Sequence, residues 1–219
     1  MKGLFVAGTG TDLGKTHIAC ALLRAARAQG LSVDAFKPVV SGFDPAEPQT
    51  SDPARLAAAL GRPDAWPQVS PRRYRAPLAP NLAARLEGDT LAMADLVADC
   101  RTWLETRDVD LALVEGAGGV MSPMTDDATN LDLMTALALP VLLVAGSYLG
   151  TASHLLTALE VVRARGLTVA AVVVSESLDA PDLSQTVEML RAFEQQTPIV
   201  VAPREAEWDA GELADLFLA

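Results

Sequence analysis

The chain has 219 residues, of which 50% are hydrophobic, and a formal net charge of −11. This length and composition supply a full hydrophobic core, so we expect residues 1–219 to form a single domain rather than a disordered chain. Because nucleic acids and anionic membranes require a basic protein surface, the acidic balance argues against both as partners.

Targeting and membrane segments are not predicted either. The first residues run directly into an apolar strand pattern, which leaves no space for a signal or transit peptide. The longest apolar segment, residues 137–145, is far shorter than the ~20 residues of a membrane helix. Cys20 and Cys100 have no partner at metal-ligand spacing and are predicted to be buried free thiols. We therefore expect a cytoplasmic protein.

Short β-rich runs alternate with helical patterns along the chain. The strand runs are 4–7, 33–40, 111–114, 141–145, 169–174 and 198–201. The helical patterns are 17–29, 52–60, 91–106, 131–139, 151–165 and 182–195. Because the strand runs are continuously apolar, they predict an α/β fold with a mainly parallel sheet and helices on both faces, in three layers. Residues 43–81, with one helical pattern, should cross the strand edge and contact substrate.

A glycine-rich sequence joins the first strand to the first helix. Residues 8–16 read Gly-Thr-Gly-Thr-Asp-Leu-Gly-Lys-Thr. This order is typical of a phosphate-binding loop, in which backbone N–H groups face phosphates, Lys15 reaches the β- and γ-phosphates and Thr16 holds Mg²⁺. The usual pattern has its first glycine where Thr9 stands, so this loop is one residue longer. It predicts a P-loop NTPase-like fold that binds a nucleoside triphosphate.

Three charged residues are candidates for the chemistry. Glu115 ends a buried strand before Gly-Ala-Gly-Gly, where a Walker B acid that binds Mg²⁺ would lie. Asp52 is a second carboxylate at the start of a helical pattern, and the pattern fits a helix-capping role equally well. Lys37 ends the second predicted strand and should lie beside the phosphate loop, although a lysine there also fits a solvent-exposed role.

Four segments taken together resemble the dethiobiotin synthetase family. They are the extended loop at 8–16, Lys-Pro-Val-Val-Ser-Gly at 37–42, Ser-Asp at 51–52 and Glu-Gly-Ala-Gly-Gly at 115–119. Matching segments run from residue 4 to about 166. The resemblance implies an ATP-dependent ligase of biotin synthesis that forms dethiobiotin from 7,8-diaminononanoate and CO₂. The implied path runs through a carbamate and a carbamic-phosphoric anhydride, in a homodimer whose site lies at the interface.

The resemblance also implies roles for individual residues. Lys37 would be the catalytic lysine. The implied ATP-binding residues are Asp12, Leu13, Gly14, Lys15, Thr16, His17, Asp52, Glu115, Gly116, Ala117 and Gly118. The implied Mg²⁺ ligands are Thr16, Asp52 and Glu115. Thr11, Ser41 and Gly150 would bind the diamine substrate, and Gly150 would do so from the other subunit.

The chain departs from the family pattern at several positions. Gly10, Asn81 and Ser153 stand where the family often has Asp, His and Asn. Ser175 stands where the family commonly has an Asn that contacts the adenine base, in a region whose other base-side loop is near 202–204. Because a hydroxyl cannot supply the paired donor and acceptor of a carboxamide, we expect a relaxed base preference.

Two other classes share parts of the pattern. Switch ATPases that position partitioning or division machinery carry an extra lysine early in the loop, which residues 8–14 lack. Their membrane-attached members need a basic tail, whereas residues 205–212 are acidic. Other ATP-dependent amide ligases, such as the cobyrinate amidation enzymes, need an ammonia source, usually a glutaminase with a nucleophilic cysteine. Neither Cys20 nor Cys100 lies in such a context.

Overall fold

A parallel sheet forms the centre of the computed structural model, which describes residues 2–204 and 208–218. The strands are β1 (Lys2–Gly8), β2 (Val33–Phe36), β3 (Val39–Ser41), β4 (Arg72–Tyr74), β5 (Leu111–Gly119), β6 (Val141–Gly146), β7 (Val169–Ser175) and β8 (Ile199–Ala202). Within these residues, six strands form the sheet in the order β2-β5-β1-β6-β7-β8. All of its strand pairs are parallel, as the apolar runs predict.

Helices cover both faces of this sheet. They are α1 (Lys15–Ala28), α2 (Asp52–Ala59), α3 (Trp66–Val69), α4 (Pro80–Leu86), α5 (Met93–Glu105), α6 (Asn130–Leu137), α7 (Thr151–Ala164), α8 (Leu183–Phe193) and α9 (Gly211–Leu218). Helices α1, α2 and α9 pack with Leu4 and Val6 of β1 in one core, whereas α4 to α8 pack with Phe5 and Ala7 in the other. Successive side chains of a strand point to opposite faces, so β1 serves both cores. The three-layer α/β prediction is confirmed.

The predicted strand 33–40 is wrong as a single element. It divides into β2, which belongs to the central sheet, and β3, which pairs with β4 in a separate two-stranded sheet. Pro38 stands at the break and has no N–H for a strand ladder. The backbone N–H of Lys37 instead donates to the carbonyl oxygen of Val69 at 2.8 Å. Lys37 therefore lies at the point where the chain leaves the central sheet.

Other boundaries differ from the predictions in detail. Helix α1 begins two residues earlier than predicted, and β5 continues past Glu115 to Gly119. The segment 43–81 holds more than one helical element, since α2, α3 and the 3₁₀ turns Pro48–Thr50 and Pro63–Ala65 all lie within it. Helices α4 and α9 and strand β4 were not predicted.

Two sequence expectations concern the ends and the cysteines. Residues 205–207 of the acidic segment 205–212 lie outside the described residues. Cys20 and Cys100 are buried free thiols, as expected, and burial raises the pKa of each to about 12. In the described part of the chain, no helix combines the length and apolar character that crossing a membrane requires.

The register of the sheet positions the site. Val6 of β1 pairs with Glu115 of β5, and Gly8 pairs with Gly119. The carboxyl end of β1 therefore runs into the loop 9–14 directly beside the last residues of β5. In an open parallel sheet, ligands bind outside the carboxyl ends of the strands, and α1 begins at the same edge.

A candidate nucleotide-binding and catalytic site

A cavity of about 580 Å³ lies at this edge of the sheet. It extends from the region of Lys37 and Ser41, past the loop, to the ends of β7 and β8. Its lining residues are Thr11, Asp12, Gly14, Lys15, Thr16, His17, Lys37, Val40, Ser41, Asp52, Arg55, Ala117, Gly118, Ser175, Glu176, Ala202, Pro203 and Arg204. This volume is within the range of small-molecule sites.

The loop turns sharply into α1. Gly14 is the N-cap of α1 and has φ 88°, a left-handed conformation in which glycine is not strained. A Cβ at Gly14 would also lie 3.0 Å from the hydroxyl oxygen of Ser175, so a side chain there would crowd β7. Asp12 has φ 58° within the same loop. The loop thus places the first N–H groups of α1 at the cavity, where they favour an anion.

Lys15 folds back over the loop. Its Nζ donates a hydrogen bond to the carbonyl oxygen of Gly10 at 3.0 Å. Burial is the main cause that lowers the pKa of Lys15 to about 8, and the charge of Lys37 lowers it further. An anion bound in the cavity would raise the pKa of Lys15 again and so offset both the burial and the charge of Lys37. The arrangement is therefore suited to a phosphate chain.

A buried group of four side chains lies next to the loop, and we call it the lysine cluster: Lys37, Asp52, Glu115 and Thr16. Nζ of Lys37 donates to Oδ2 of Asp52 at 2.9 Å and to Oε1 of Glu115 at 2.5 Å. The Thr16 hydroxyl donates to the same Glu115 oxygen at 2.6 Å. The side chains of Lys37 and Glu115 are 5% and 1% exposed, so this ion pair lies almost entirely out of water.

The cluster shifts the pKa of its charged members. Burial alone lowers the pKa of Lys37, but the carboxylates of Glu115 and Asp52 raise it above its ordinary value. Burial likewise raises the pKa of Asp52, and the charge of Lys37 outweighs this and holds it below the ordinary value. Lys37 is therefore a fixed cation and Asp52 a fixed anion near neutral pH.

The cluster also has capacity for another ligand. Oε2 of Glu115 is buried and has no hydrogen-bond partner among the described residues. A buried carboxylate oxygen without a partner is costly unless a cation or donor reaches it. Within residues 2–204 and 208–218, no set of three or more His, Cys, Asp or Glu side chains could hold a metal by itself. A hard cation bound here would thus need phosphate oxygens and water as further ligands.

The glycines after Glu115 bring the backbone of β5 against the loop. A Cβ at Gly119 would lie 3.1 Å from Cα of Gly10, so a side chain there would push the two segments apart. Gly116 makes space for the buried side chain of Asn130, whose Nδ2 donates to the carbonyl oxygen of Gly119 at 3.3 Å. This packing fixes the end of β5 beside the phosphate loop.

Most of the residues that the resemblance selects come together at the cavity. Lys37, Ser41 and Thr11 line it, as do most of the implied ATP-binding residues, and Glu115 reaches it through the lysine cluster. The remaining implied residues, Leu13, Gly116 and Gly150, do not line the cavity. Gly150 is the N-cap of α7 and is exposed, so its role within one chain has no support in this geometry.

Three lining residues were missed from the sequence: Val40, Glu176 and Arg55. Val40 lies in β3, which the predicted strand 33–40 combined with β2. Glu176 follows Ser175, and its carboxylate accepts a hydrogen bond from the backbone N–H of Arg204 at 2.8 Å. The sequence could have indicated Arg55, because it follows Asp52 by three residues and therefore lies on the same face of the predicted helix.

Comparison with known proteins identifies the family. A sequence model described as an AAA domain matches residues 2–209. The ATP-dependent dethiobiotin synthetase BioD of Caulobacter vibrioides strain NA1000 is 80% identical over 219 residues, which is the full length of both chains. The chain belongs to the ATP-dependent dethiobiotin synthetase family. Another synthetase of this family, from Caulobacter sp. strain K31, is 63% identical across all of this chain and 95% of its own. The synthetase of Phenylobacterium zucineum is 56% identical across 95% of this chain and 92% of its own.

Solved structures support the fold of this dethiobiotin synthetase family member. The MinC:MinD cell division protein complex of Aquifex aeolicus contains a chain with a TM-score of 0.54 and 12% identity, and the match covers 100% of this chain and 86% of that one. Apo McdA of Cyanthece gives a TM-score of 0.52 at 15% identity and covers 100% and 91%. At such low identity the likeness shows the P-loop NTPase-like fold alone.

Proposed function

We propose that this chain closes the ureido ring of dethiobiotin from 7,8-diaminononanoate, CO₂ and ATP, with Lys37 as its catalytic lysine. It is an ATP-dependent ligase of biotin biosynthesis, as its family membership states. The observation that supports the catalytic role is the lysine cluster, in which two carboxylates hold the Lys37 ammonium at a buried position beside the phosphate loop. A cation fixed in this way needs no reorganisation when negative charge develops near it.

The proposed reaction has three steps. One amine of the substrate attacks CO₂, and the new C–N bond gives a carbamate after loss of a proton from nitrogen. A carbamate oxygen then attacks the γ-phosphorus of ATP, and the bond to the leaving β-phosphate oxygen breaks, which gives ADP and a carbamic-phosphoric anhydride. Finally the second amine attacks the carbamoyl carbon and loses a proton from nitrogen, the C–O bond to phosphate breaks, and the ring closes. Each step places negative charge on oxygen, which Lys37 and Lys15 would stabilise.

Mg²⁺ fits the donors of the cluster. Thr16, Asp52 and Glu115 present one hydroxyl and two carboxylates, and the partnerless Oε2 of Glu115 is a buried oxygen suited to a hard cation. When bound, Mg²⁺ would neutralise charge on the β- and γ-phosphates. Of the remaining implied ATP contacts, Asp12, Gly14, His17, Ala117 and Gly118 line the cavity, whereas Leu13 and Gly116 do not.

A second copy of the chain would complete the diamine site. Thr11 and Ser41 line the cavity of one chain, whereas Gly150 does not. Leu149 beside it is 90% exposed, and Leu86 and Met121 are 69% and 56% exposed. Exposed large apolar side chains suit an interface. We therefore propose a cytoplasmic homodimer in which the N-terminus of α7 of one subunit reaches the cavity of the other.

The reaction is tested by ADP release from the purified chain with Mg²⁺ and ATP. We expect release to require both 7,8-diaminononanoate and bicarbonate-supplied CO₂, and the product to have the mass of dethiobiotin. Omitting one substrate at a time is the control. Hydrolysis that continues without the diamine would contradict the proposal and would favour a switch ATPase instead.

A subunit-mixing experiment tests the shared site. Lys37→Ala and Gly150→Val would each be inactive alone, but a mixed dimer would contain one site with neither substitution. After unfolding and refolding of an equal mixture, we expect about a quarter of the unmodified activity to return. If a sample whose mass shows mixed dimers recovers no activity, Lys37 and Gly150 of each site would come from the same subunit, which would contradict the shared site.

A further inference from the structure

Arg55 is a cation of the cavity whose function is not explained by the residues around it. The side chains of most arginines in the described chain have a hydrogen-bond or ion-pair partner; these are Arg27, Arg62, Arg72, Arg73, Arg85, Arg101, Arg107, Arg163, Arg165 and Arg191. Among residues 2–204 and 208–218, the guanidinium of Arg55 has neither kind of partner. Yet Arg55 lines the cavity.

The position of Arg55 follows from helix α2. Ser51 caps this helix, and its hydroxyl accepts a hydrogen bond from the backbone N–H of Ala54. Asp52 and Arg55 are three residues apart and therefore lie on the same face. Since Asp52 accepts a hydrogen bond from Lys37 at 2.9 Å, that face is directed to the cavity. The following residues Leu56 and Ala57 are buried against the opposite side, which keeps α2 in place.

Arg55 also lies close to the first turn of α1. Helices α1 and α2 pack against each other through the same core. The pKa of His17 lies below its ordinary value, mainly because the ring is partly buried and then because Arg55 and Arg24 bring positive charge near it. Arg55 is thus close both to Asp52 of the lysine cluster and to His17 at the start of α1.

This location corresponds to the middle of a bound phosphate chain. In a phosphate-binding loop the backbone N–H groups face the α- and β-phosphates, while the lysine reaches the β- and γ-phosphates. The loop and α2 both contribute residues to the lining of the cavity, and Arg55 is one of those from α2. A guanidinium offers two parallel donors to phosphate oxygens, which suits an exposed arginine without a protein partner.

We propose that Arg55 is a nucleotide-binding residue that contacts the α- and β-phosphates of ATP and ADP. The inference rests on the nucleotide site proposed above. In a chain with a net charge of −11, a partnerless cation at this position would also offset the repulsion of a polyanionic ligand.

The test is the equilibrium dissociation constant of ADP, measured calorimetrically with Mg²⁺ and without the diamine or CO₂. We expect Arg55→Ala to raise the Kd of ADP about tenfold, because a charge-assisted hydrogen bond is lost. Arg55→Lys should recover part of this loss, since it keeps the charge but not the paired donors. The binding of adenosine, which has no phosphate, should change by less than about twofold.

Arg24→Ala is the matched control. It removes the same charge from a neighbouring exposed position that also acts on His17 but does not line the cavity. We expect it to change the Kd of ADP by less than about twofold. Equal weakening in both variants would assign the effect to the general field and overturn the proposal, as would an unchanged Kd in Arg55→Ala. Since no substrate other than nucleotide is present, either result is independent of the ligase reaction.

Discussion

Two buried glutamates of this protein, Glu194 and Glu115, differ in their hydrogen-bond partners. Glu194 follows α8, and its Oε1 accepts hydrogen bonds from Nη2 of Arg163 at 2.9 Å and from the backbone N–H groups of Gln196 and Thr197 at 2.9 and 2.7 Å. Glu115 also has a cation, Lys37, but its Oε2 has no partner among the described residues. Both side chains are less than 5% exposed.

The difference indicates what each carboxylate contributes. The donors of Glu194 come from its own loop and from α7, so its charge holds the chain together and requires no ligand. Glu115 keeps an unsatisfied oxygen in a cavity, an arrangement that costs stability unless something binds there. A buried carboxylate whose contacts all come from the surrounding protein is thus structural, whereas one with a buried oxygen that has no partner marks the site of chemistry.

The largest expected difference is in turnover, between variants that lack the cation paired with Glu115 and variants that lack the cation paired with Glu194. Lys37→Ala should lower turnover by about 10³-fold while ATP binding stays nearly intact, because the lost interaction acts mainly on the transition state. Arg163→Ala, which removes the cation from Glu194, should leave turnover within about twofold. The check is kcat for each variant together with the Kd of ATP. Unchanged turnover in Lys37→Ala would remove this lysine from the mechanism.

Replacing the first glutamate should separate activity from stability. Glu115→Gln removes a charge but keeps the shape, so we expect turnover to fall about 10²-fold and the Mg²⁺ concentration for half-maximal activity to rise. The midpoint of thermal unfolding should change little, since an amide is less costly to bury than a carboxylate with a free oxygen. If this midpoint falls strongly while activity is retained, Glu115 has a structural role like that of Glu194, and the proposed difference between the two glutamates is wrong.

Replacing the second glutamate should have the reverse effect. We expect Glu194→Gln to lower the free energy of unfolding at neutral pH by about 1–3 kcal/mol and to leave turnover unchanged. The hydrogen bond from Arg163 is the main cause that holds the pKa of Glu194 below its ordinary 4.5. A lowered folded-state pKa stabilises the fold above pH 4.5, and this contribution is lost as the pH falls through the folded-state value. The difference in free energy of unfolding between Glu194→Gln and the unmodified protein, measured with urea, should therefore become smaller in acid. A difference that stays constant with pH would contradict this role of Glu194.

The smallest expected effect lies at the base end of the cavity, where the bonding of a polar side chain is again incomplete. The Ser175 hydroxyl lies beside Gly14 in the cavity lining. We expect comparable kcat/KM values for ATP and CTP, because a serine cannot match the paired donor and acceptor of an adenine edge. Ser175→Asn should shift the preference to ATP. A strict ATP requirement in the parent would show that other groups select the base.

The sequence was sufficient for the parts of the molecule that depend on local order. The continuous apolar runs 111–114, 141–145 and 169–174 predict buried parallel strands, and the structure confirms them. The loop motif predicts the position of Lys15 and Thr16 at the junction of loop and helix, where they line the cavity, because strand, turn and helix are adjacent in the chain. The pattern also selects Lys37, Asp52 and Glu115 as candidates, but not their contacts with one another, since these residues are far apart in sequence.

The missed features depend on contacts between distant segments. The break between β2 and β3 needs Val69 to accept a hydrogen bond from the backbone of Lys37, and nothing local to 33–40 reveals that partner. Pro38 was the available signal. Helix α9 is short and gains its stability from packing on α1, a contact across the whole chain length. Arg55 was missed because an exposed arginine on a helix is usually a solvent contact.

The break after Lys37 has a consequence for how the sequence can change. After β2 the chain returns to the central sheet only at β5, and the two-stranded sheet of β3 with β4 in between carries Ser41. Insertions or replacements in this excursion would leave the register of the six-stranded sheet untouched, because no strand of that sheet lies within it. The segment that carries Ser41 is therefore set apart from the six-stranded sheet. A library that varies this segment but keeps Asp52, Arg55 and Val69 could alter substrate choice while the order of that sheet stays constant.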